Sequence, residues 1–176
     1  MKFLVEQFNQ QEKEKDILLK RLDTFSSENV EWKATKNEWS IIEVLEHIIL
    51  GEQIVVQRYL ERKNVVVRNK TFKDSILYYI VVLVLRLNIP VSIPTKSLDP
   101  IKKLSLKQIE REWKNSRKLF KKHITSLTNK DVDVAYFVHP VCGPITTQQA
   151  LTLSKYHFAV HRKQITTIID IITYRK

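Results

Sequence analysis

The sequence predicts an all-α protein, a four-helix bundle with a hydrophobic helical insertion between the second and third bundle helices. Glycine is scarce, with two in 176 residues, and all five prolines lie in the second half of the chain, whereas a turn-rich β fold would use many of both. Long segments repeat apolar residues at helical spacing. Three of them begin with a capping box, in which a Ser or Thr and a Glu or Gln three residues later satisfy each other's backbone N–H groups.

Size and composition suit one globular domain. We expect a single domain over residues 1–176, with the insertion at about 64–104. Hydrophobic residues make up 43% and charged residues 28% of the chain, which allows a packed core and is not typical of a disordered protein. The one cysteine, Cys142, excludes an intramolecular disulfide framework. The N-terminus lacks a secretory signal, and the longest apolar run, 76–85, is about half of a membrane span, so we expect a cytoplasmic protein.

Two helices are predicted before the insertion. The first covers roughly residues 3–25, and polar Gln11 and Lys15 interrupt its apolar face. The second begins at the capping box of Ser40 and Glu43 and continues to about residue 62.

His47 and Gly51 lie on one line of the second helix, beside its apolar stripe. Glycine inside a helix costs stability. One explanation is that Gly51 leaves space, one turn from His47, for a neighbouring helix or a ligand.

The insertion contains a segment, from Thr71 to about Asn88, that is apolar around nearly its whole circumference. This pattern predicts a buried helix. A homodimer contact and a membrane-facing patch over 76–89 are the alternatives. Three prolines then predict an extended crossover from Ile89 to Pro100.

Two further bundle helices follow the crossover. The third begins at the capping box of 105–108 and carries an apolar face opposite a strongly basic one. After a loop at 138–145, the last helix begins at the capping box of 146–149 and continues to about Tyr174. Short loops favour antiparallel neighbours, and the long crossover allows a parallel pair.

Three histidines are the residues with the most chemical information. His157 and His161 are four residues apart, so they lie one turn apart on one helical face. His47 belongs to a different predicted helix. Together they can form a three-nitrogen metal site with coordination positions left open for water or substrate. Helical histidines also fall four apart by chance, so the spacing alone leaves both interpretations open.

Two blocks carry a resemblance to a known family. They are WSIIEVLEH at 39–47 and HPVCGPITTQQALTLSKYHFAVHRKQI at 139–165. Together they resemble the DinB-like superfamily of metal-binding four-helix bundles, in which a Trp-Ser helix start precedes one histidine and the last helix carries H-x-x-x-H. The resemblance extends over nearly the whole chain and implies that His47, His157 and His161 bind one divalent metal, commonly zinc or nickel.

The resemblance also implies a range of activities. Characterised relatives include transferases that join a low-molecular-weight thiol, such as bacillithiol or mycothiol, to an electrophile, and an isomerase that uses such a thiol. Others are described as metal-dependent hydrolases. We therefore expect a metal-dependent thiol S-transferase or a hydrolase acting on a small molecule, while the fold alone does not decide between them.

Three other residues are candidates beside the metal. Glu43, one turn before His47, could orient that imidazole, although its capping role already explains it. Gln164 could hydrogen-bond a substrate or ligand, or be a buried bundle glutamine. His139 could approach as a fourth ligand. Phe158 occupies the position at which a zincin protease carries its glutamate, which disfavours that class.

The remaining reactive or aromatic side chains are interpreted structurally. Cys142 has no neighbouring base at helical spacing and is expected to be a small buried residue. His123 is expected to be structural or exposed. The three tryptophans are expected to anchor the core.

The net charge of +11 suggests polyanionic partners. Between Lys102 and Lys122 there are nine Lys or Arg residues against Glu110 and Glu112. Neither the aromatic pattern of an RNA-binding sheet nor a helix-turn-helix accompanies them, so we interpret them as a solvated helix face. The alternatives to the enzyme are a non-catalytic metal or small-molecule binding protein, and a basic module for nucleic acid or anionic membrane.

Overall fold

The computed structural model describes residues 1–61, 70–89, 99–100 and 104–175, with the backbone alone for 57–61. The predicted crossover therefore lies largely outside the described residues. The elements in chain order are α1 (Lys2–Leu22), α2 (Ser27–Glu31), α3 (Ile41–Glu61), α4 (Phe72–Arg86), α5 (Leu106–Ser126), a 3-10 turn (Asn129–Asp131), β1 (Phe137–His139), β2 (Gly143–Ile145) and α6 (Thr147–Tyr174).

The four long helices α1, α3, α5 and α6 form the bundle. α3 and α1 each pack against both α5 and α6. The first halves of α3 and α5 share one hydrophobic cluster and their later residues share a second, so these two helices run parallel. α4 packs against α6 outside the four-helix ring. The predicted fold class, an all-α bundle with a helical insertion between the second and third bundle helices, is thus confirmed.

All three predicted capping boxes form. The box of Ser40 and Glu43 has N···O distances of 2.8 and 3.3 Å. The boxes at 105–108 and 146–149 have the same reciprocal bonds. A fourth box, between Thr71 and Asp74, begins α4. Each box satisfies backbone donors that the first turn of a helix leaves without an intrahelical partner.

A polar layer lies between the two hydrophobic clusters and is centred on Arg117, whose side chain is 4% exposed. The Arg117 guanidinium donates to Glu12 at 2.7 Å and to Glu52 at 3.2 Å. Gln11 contributes a further acceptor at 3.4 Å. Glu52 also accepts from Ser154 at 3.5 Å. The layer therefore joins all four bundle helices.

The polar residues that interrupt the apolar face of α1 belong to this layer. Gln11 donates to the carbonyl of Leu151 at 2.9 Å, and Lys15 forms an ion pair with Glu12 at 3.0 Å. Both side chains are buried, so they contribute to the packing of α1 against α5 and α6.

α4 differs from the sequence-based expectation. We predicted a buried helix, but only Asp74 and Tyr78 are buried along it. One side packs on α6, while the other side is open to solvent. An apolar circumference shows that a helix can be buried, and it does not indicate how many of its sides have a partner.

The loop before the last helix also contains more structure than predicted. Residues 137–139 and 143–145 form a two-stranded antiparallel hairpin, with Phe137 opposite Ile145 and His139 opposite Gly143. Gly143 has a φ of 66°, a conformation that glycine adopts at low cost. In the described part of the chain, no helix has the length and apolar character needed to cross a membrane.

His123 packs beneath this hairpin and generates a pH-dependent prediction. Its Nε2 lies 2.8 Å from the Thr147 hydroxyl, and its side chain is buried. Burial lowers the pKa of His123 from 6.5 to about 4, with Asp131 opposing part of the shift. Because the folded-state pKa is depressed, the contribution to stability is present above pH 6.5 and is lost as the pH falls toward 4.

We expect His123→Gln, which retains a hydrogen-bonding side chain, to weaken the pH dependence of stability. As the pH falls from 6.5 to about 4, the free energy of unfolding of the wild type should decrease by as much as about 3 kcal/mol more than that of the variant. Chemical denaturation at a series of pH values measures both curves. A wild-type-minus-variant difference that is constant with pH would contradict the assignment.

Candidate metal centre

Two antiparallel helices position the three histidines. α3 provides His47, and α6 provides His157 and His161 one turn apart. Glu52 of α3 contacts Ser154 of α6 on the side of the histidines nearer the polar layer. This contact and the packing of α3 on α6 set the register that brings His47 opposite His157.

The three Nε2 atoms converge on one point. Nε2 of His157 lies 3.2 Å from Nε2 of His47 and 3.1 Å from Nε2 of His161. One ring nitrogen from each residue lies within 4.8 Å of the other two. His47 is buried, with 3% of its surface exposed, while His157 and His161 are half-buried. The structure therefore brings together all three residues that the sequence analysis singled out.

The protonation of these rings suits metal binding. Nδ1 of His161 lies 2.9 Å from Oε1 of Gln164. Because a carbonyl oxygen can only accept, Nδ1 carries the proton and Nε2 presents its lone pair. Burial lowers the pKa of His161 to about 4, despite the opposing hydrogen bond with Gln164. Burial, followed by the neighbouring His161, His47 and His139, lowers the pKa of His157 well below 6.5.

The nitrogen arrangement is difficult to satisfy by hydrogen bonds alone. A neutral imidazole carries one proton, so at most one of the two close contacts of the His157 Nε2 can be a hydrogen bond. A cation between the three nitrogens would satisfy all of their lone pairs. Ligand nitrogens about 2.0–2.1 Å from a tetrahedral zinc are about 3.3 Å from each other. The two separations that involve His157, 3.1 and 3.2 Å, agree with that spacing, and one ring nitrogen from each of the three residues lies within 4.8 Å of the others.

Trp39 and Gly51 shape the surroundings of the imidazoles. The Trp39 ring lies with its centroid 5.0 Å from that of His47. A Cβ at Gly51 would lie 3.9 Å from Cε1 of His157, an ordinary van der Waals contact. The space that the sequence analysis assigned to Gly51 is therefore beside the His157 imidazole.

Both Glu43 oxygens have partners away from the histidines. One accepts from the backbone N–H of Ser40 at 2.8 Å, and the other accepts from Lys33 at 2.6 Å. Burial raises the pKa of Glu43, but Lys33 and the Ser40 contacts outweigh it and hold the pKa below the usual range. These contacts agree with the helix-capping explanation of this residue.

His139 and Cys142 lie in the hairpin before α6. Nδ1 of His139 accepts from the backbone N–H groups of Val141 and Cys142 at 3.2 and 3.3 Å, so its proton is on Nε2. His139 affects the pKa of His157, yet it is outside the three-histidine group. The Cys142 side chain is fully buried, and burial raises its pKa to about 11, which agrees with the predicted structural role.

Glu52 was not among the residues predicted from the sequence, and it ties α3 to both α5 and α6. The Trp113 indole N–H donates to Glu52 at 3.0 Å, in addition to the Arg117 and Ser154 contacts. A signal was present, because Glu52 interrupts the otherwise apolar line of Ile48 and Val55 on α3. A charged residue within such a line indicates a buried partner elsewhere in the chain.

Comparison with known proteins agrees with this arrangement. The sequence profile of the DinB superfamily matches residues 10–165, and the chain belongs to that superfamily, whose members are typically metal-binding. The match includes both α3 and the two histidines of α6. The chain has no significant match among curated proteins or among solved structures.

Gly51 offers a direct test of the space beside His157. We expect Gly51→Ala to leave metal binding unchanged and to raise the free energy of unfolding by about 0.5–1 kcal/mol, because alanine is the better helix former. Gly51→Leu should displace the His157 ring and reduce metal content. Denaturant unfolding and elemental analysis measure the two effects. Loss of metal in Gly51→Ala would contradict this expectation, because it would mean that metal binding needs the space that one methyl group occupies.

Proposed function

We propose that this protein binds one divalent metal ion, zinc or nickel, through Nε2 of His47, His157 and His161. We further propose that the site catalyses transfer of a low-molecular-weight thiol to an electrophilic small molecule, with hydrolysis as the alternative reaction of the same site. The convergence of one ring nitrogen from each of the three histidines within 4.8 Å is the observation that carries the proposal. Membership of the DinB superfamily supports it independently.

The donor set fits this chemistry. Three neutral imidazoles would leave a divalent ion its full double charge, and that charge would acidify a water or a thiol at the site. Structural zinc sites usually have four protein ligands. The metal-ligand group found in the described part of the chain contains three histidines, which favours a site with room for a small molecule.

The surrounding residues orient the three imidazoles and keep them neutral. Gln164 accepts from Nδ1 of His161 and so keeps the proton away from the nitrogen that faces the other two. Burial keeps His157 and His161 neutral at physiological pH. The Trp39 ring packs beside the His47 ring, tilted by 47°. These contacts fix the imidazoles before any ligand arrives.

The proposed transfer is a substitution. The thiol loses its proton, and its sulfur forms a bond to an electrophilic carbon of the second substrate. The leaving group departs with the electron pair of the bond that breaks, and the proton passes to the leaving group or to water. In hydrolysis, water takes the place of the thiol.

The first prediction concerns metal content. Wild-type protein should contain about one equivalent of divalent metal, measured by plasma mass spectrometry after purification without chelators. His157→Ala/His161→Ala should contain none, because a single imidazole is a weak ligand set. His139→Ala is the matched control, since this histidine neighbours the site without belonging to the ligand group, and it should retain the metal.

Metal content and catalytic turnover together distinguish the candidate functions. Circular dichroism confirms that the variants are folded, and a screen of thiols with electrophiles, and of esters and amides, then tests turnover. Metal without turnover would favour the non-catalytic metal-binding function. A wild-type protein without metal, even after reconstitution, would overturn the proposal. Metal loss in His139→Ala would make His139 a fourth ligand.

A second prediction concerns Gln164. Gln164→Leu should weaken metal affinity about 10–100-fold, because residues that orient a ligand histidine contribute at this level. Gln164→Glu should restore the affinity, since a carboxylate also accepts from Nδ1. Competition with a chromophoric chelator measures both. Gln148→Leu, at the exposed beginning of the same helix, is the control. Equal affinities in wild type and Gln164→Leu would remove Gln164 from the site.

A further inference from the structure

The outward side of α4 and its C-terminal end forms an exposed apolar surface, which we call the α4 face. From Phe72 to Leu87 its residues recur at spacings of three and four, so they lie on one side of the helix, and Ile89 follows the helix end. Their exposed fractions range from 45% to 82%. The members of the α4 face are Phe72, Ile76, Tyr79, Ile80, Leu83, Leu87 and Ile89.

The α4 face is large for a surface that meets only water. At roughly 200 Å² of accessible surface per large side chain, the exposed fractions amount to about 800 Å². The largest apolar patch on a monomeric protein is typically about 300–600 Å² and marks an interaction site when it is larger. A surface of this size therefore indicates a partner.

The inner side of α4 holds the face in place. Tyr78 is buried, and Leu77, Val81 and Leu85 pack against the hydrophobic cluster beneath the helix. The Thr71–Asp74 capping box fixes the beginning of α4. The α4 face is thus presented by a helix that is anchored to the bundle along its length.

The charges beside the α4 face have one sign. Lys73 is exposed near one end, and Arg86 is exposed near the other, with its guanidinium 5.6 Å from the ring centroid of Tyr156. Lys70, which is half-buried, precedes the helix. Asp74 is the one acidic residue between positions 70 and 89 of the sequence. It belongs to the capping box and is buried, with 5% of its surface exposed. The rim of the face is therefore cationic, with its acidic residue directed into the helix cap.

This charge pattern distinguishes between two kinds of partner. If two copies paired antiparallel through the α4 face, Lys73 of one would approach Arg86 of the other. In a parallel pair, each cation would approach its own equivalent. Both arrangements oppose like charges, and the described residues of α4 offer no exposed anion to compensate them. A surface of anionic lipids offers both the apolar layer and the opposite charge.

We propose that the α4 face docks on the surface of an anionic lipid membrane, with α4 lying parallel to the bilayer. The helix is about 22 Å long at 1.5 Å per residue, which suits a helix lying in the interface. The apolar side chains would enter the boundary between headgroups and acyl chains, while Lys73 and Arg86 contact lipid phosphates. The net charge of +11 adds long-range attraction to the same surface.

The test is cosedimentation of the full chain with vesicles of phosphatidylcholine containing phosphatidylglycerol, at physiological ionic strength. Wild type should bind these vesicles. Ile80→Gln/Leu83→Gln should bind about tenfold or more weakly, because two apolar contacts with the bilayer are lost. Both residues are exposed, so the variant should fold, as thermal denaturation will check.

Two further variants distinguish binding through the α4 face from binding through any exposed apolar or charged residues. Ile17→Gln/Leu119→Gln replaces the same two residue types at exposed positions of α1 and α5, and it should bind within about twofold of wild type. Lys73→Gln/Arg86→Gln should weaken binding to the phosphatidylglycerol vesicles and leave binding to pure phosphatidylcholine unchanged.

Three results would overturn the proposal. The first is a wild type that does not bind the anionic vesicles. The second is equal loss in the α4 double variant and in the Ile17/Leu119 control, which would mean that the position of the apolar residues is irrelevant. The third is a stable wild-type dimer in sedimentation equilibrium that Ile80→Gln/Leu83→Gln dissociates, which would make the α4 face an interface between copies.

Discussion

The buried guanidinium of Arg117 is the constraint on which the bundle depends. It lies between two hydrophobic clusters and bonds to Glu12 of α1 and Glu52 of α3, and Glu52 continues the layer to Ser154 of α6. Buried ions are expensive to desolvate, so such a layer contributes little net stability, but removing one member leaves an uncompensated charge. Arrangements of the helices in another register would lose these pairs. The layer therefore selects one packing from the many that apolar faces alone would permit.

The position of the histidines follows from that selection. Glu52 and Ser154 fix α3 against α6 beside the point where His47 meets His157. A shift of one turn between the two helices would move these imidazoles apart by about 5 Å. The geometry of the candidate site is thus set by long-range polar contacts, and a hydrogen bond from His161 to Gln164 completes it locally.

Features that depend on neighbouring residues could be predicted from the sequence. Capping boxes use residues three apart, so the beginnings of α3, α5 and α6 were predicted correctly, as was the pairing of His157 and His161 on one face. The convergence of His47 with that pair was one of two interpretations open from the residues, and the family resemblance favoured it. Other features depend on distant partners. The partners of Arg117 are separated from it by 65 and 105 residues, the strands of the hairpin are too short to show a period, and the apolar circumference of α4 did not indicate which side is covered.

The burial of Cys142 has a practical consequence for any thiol chemistry at the bundle. It is the one cysteine of the sequence, its side chain is fully buried, and its pKa is raised to about 11. Thiolates are the reactive form of cysteine, so this side chain will resist alkylating agents, oxidants and disulfide exchange. In the proposed transfer reaction, the sulfur nucleophile would then come from a small molecule. Colorimetric thiol reagents could follow the consumption of that small-molecule thiol in real time, because the buried Cys142 would add negligible background.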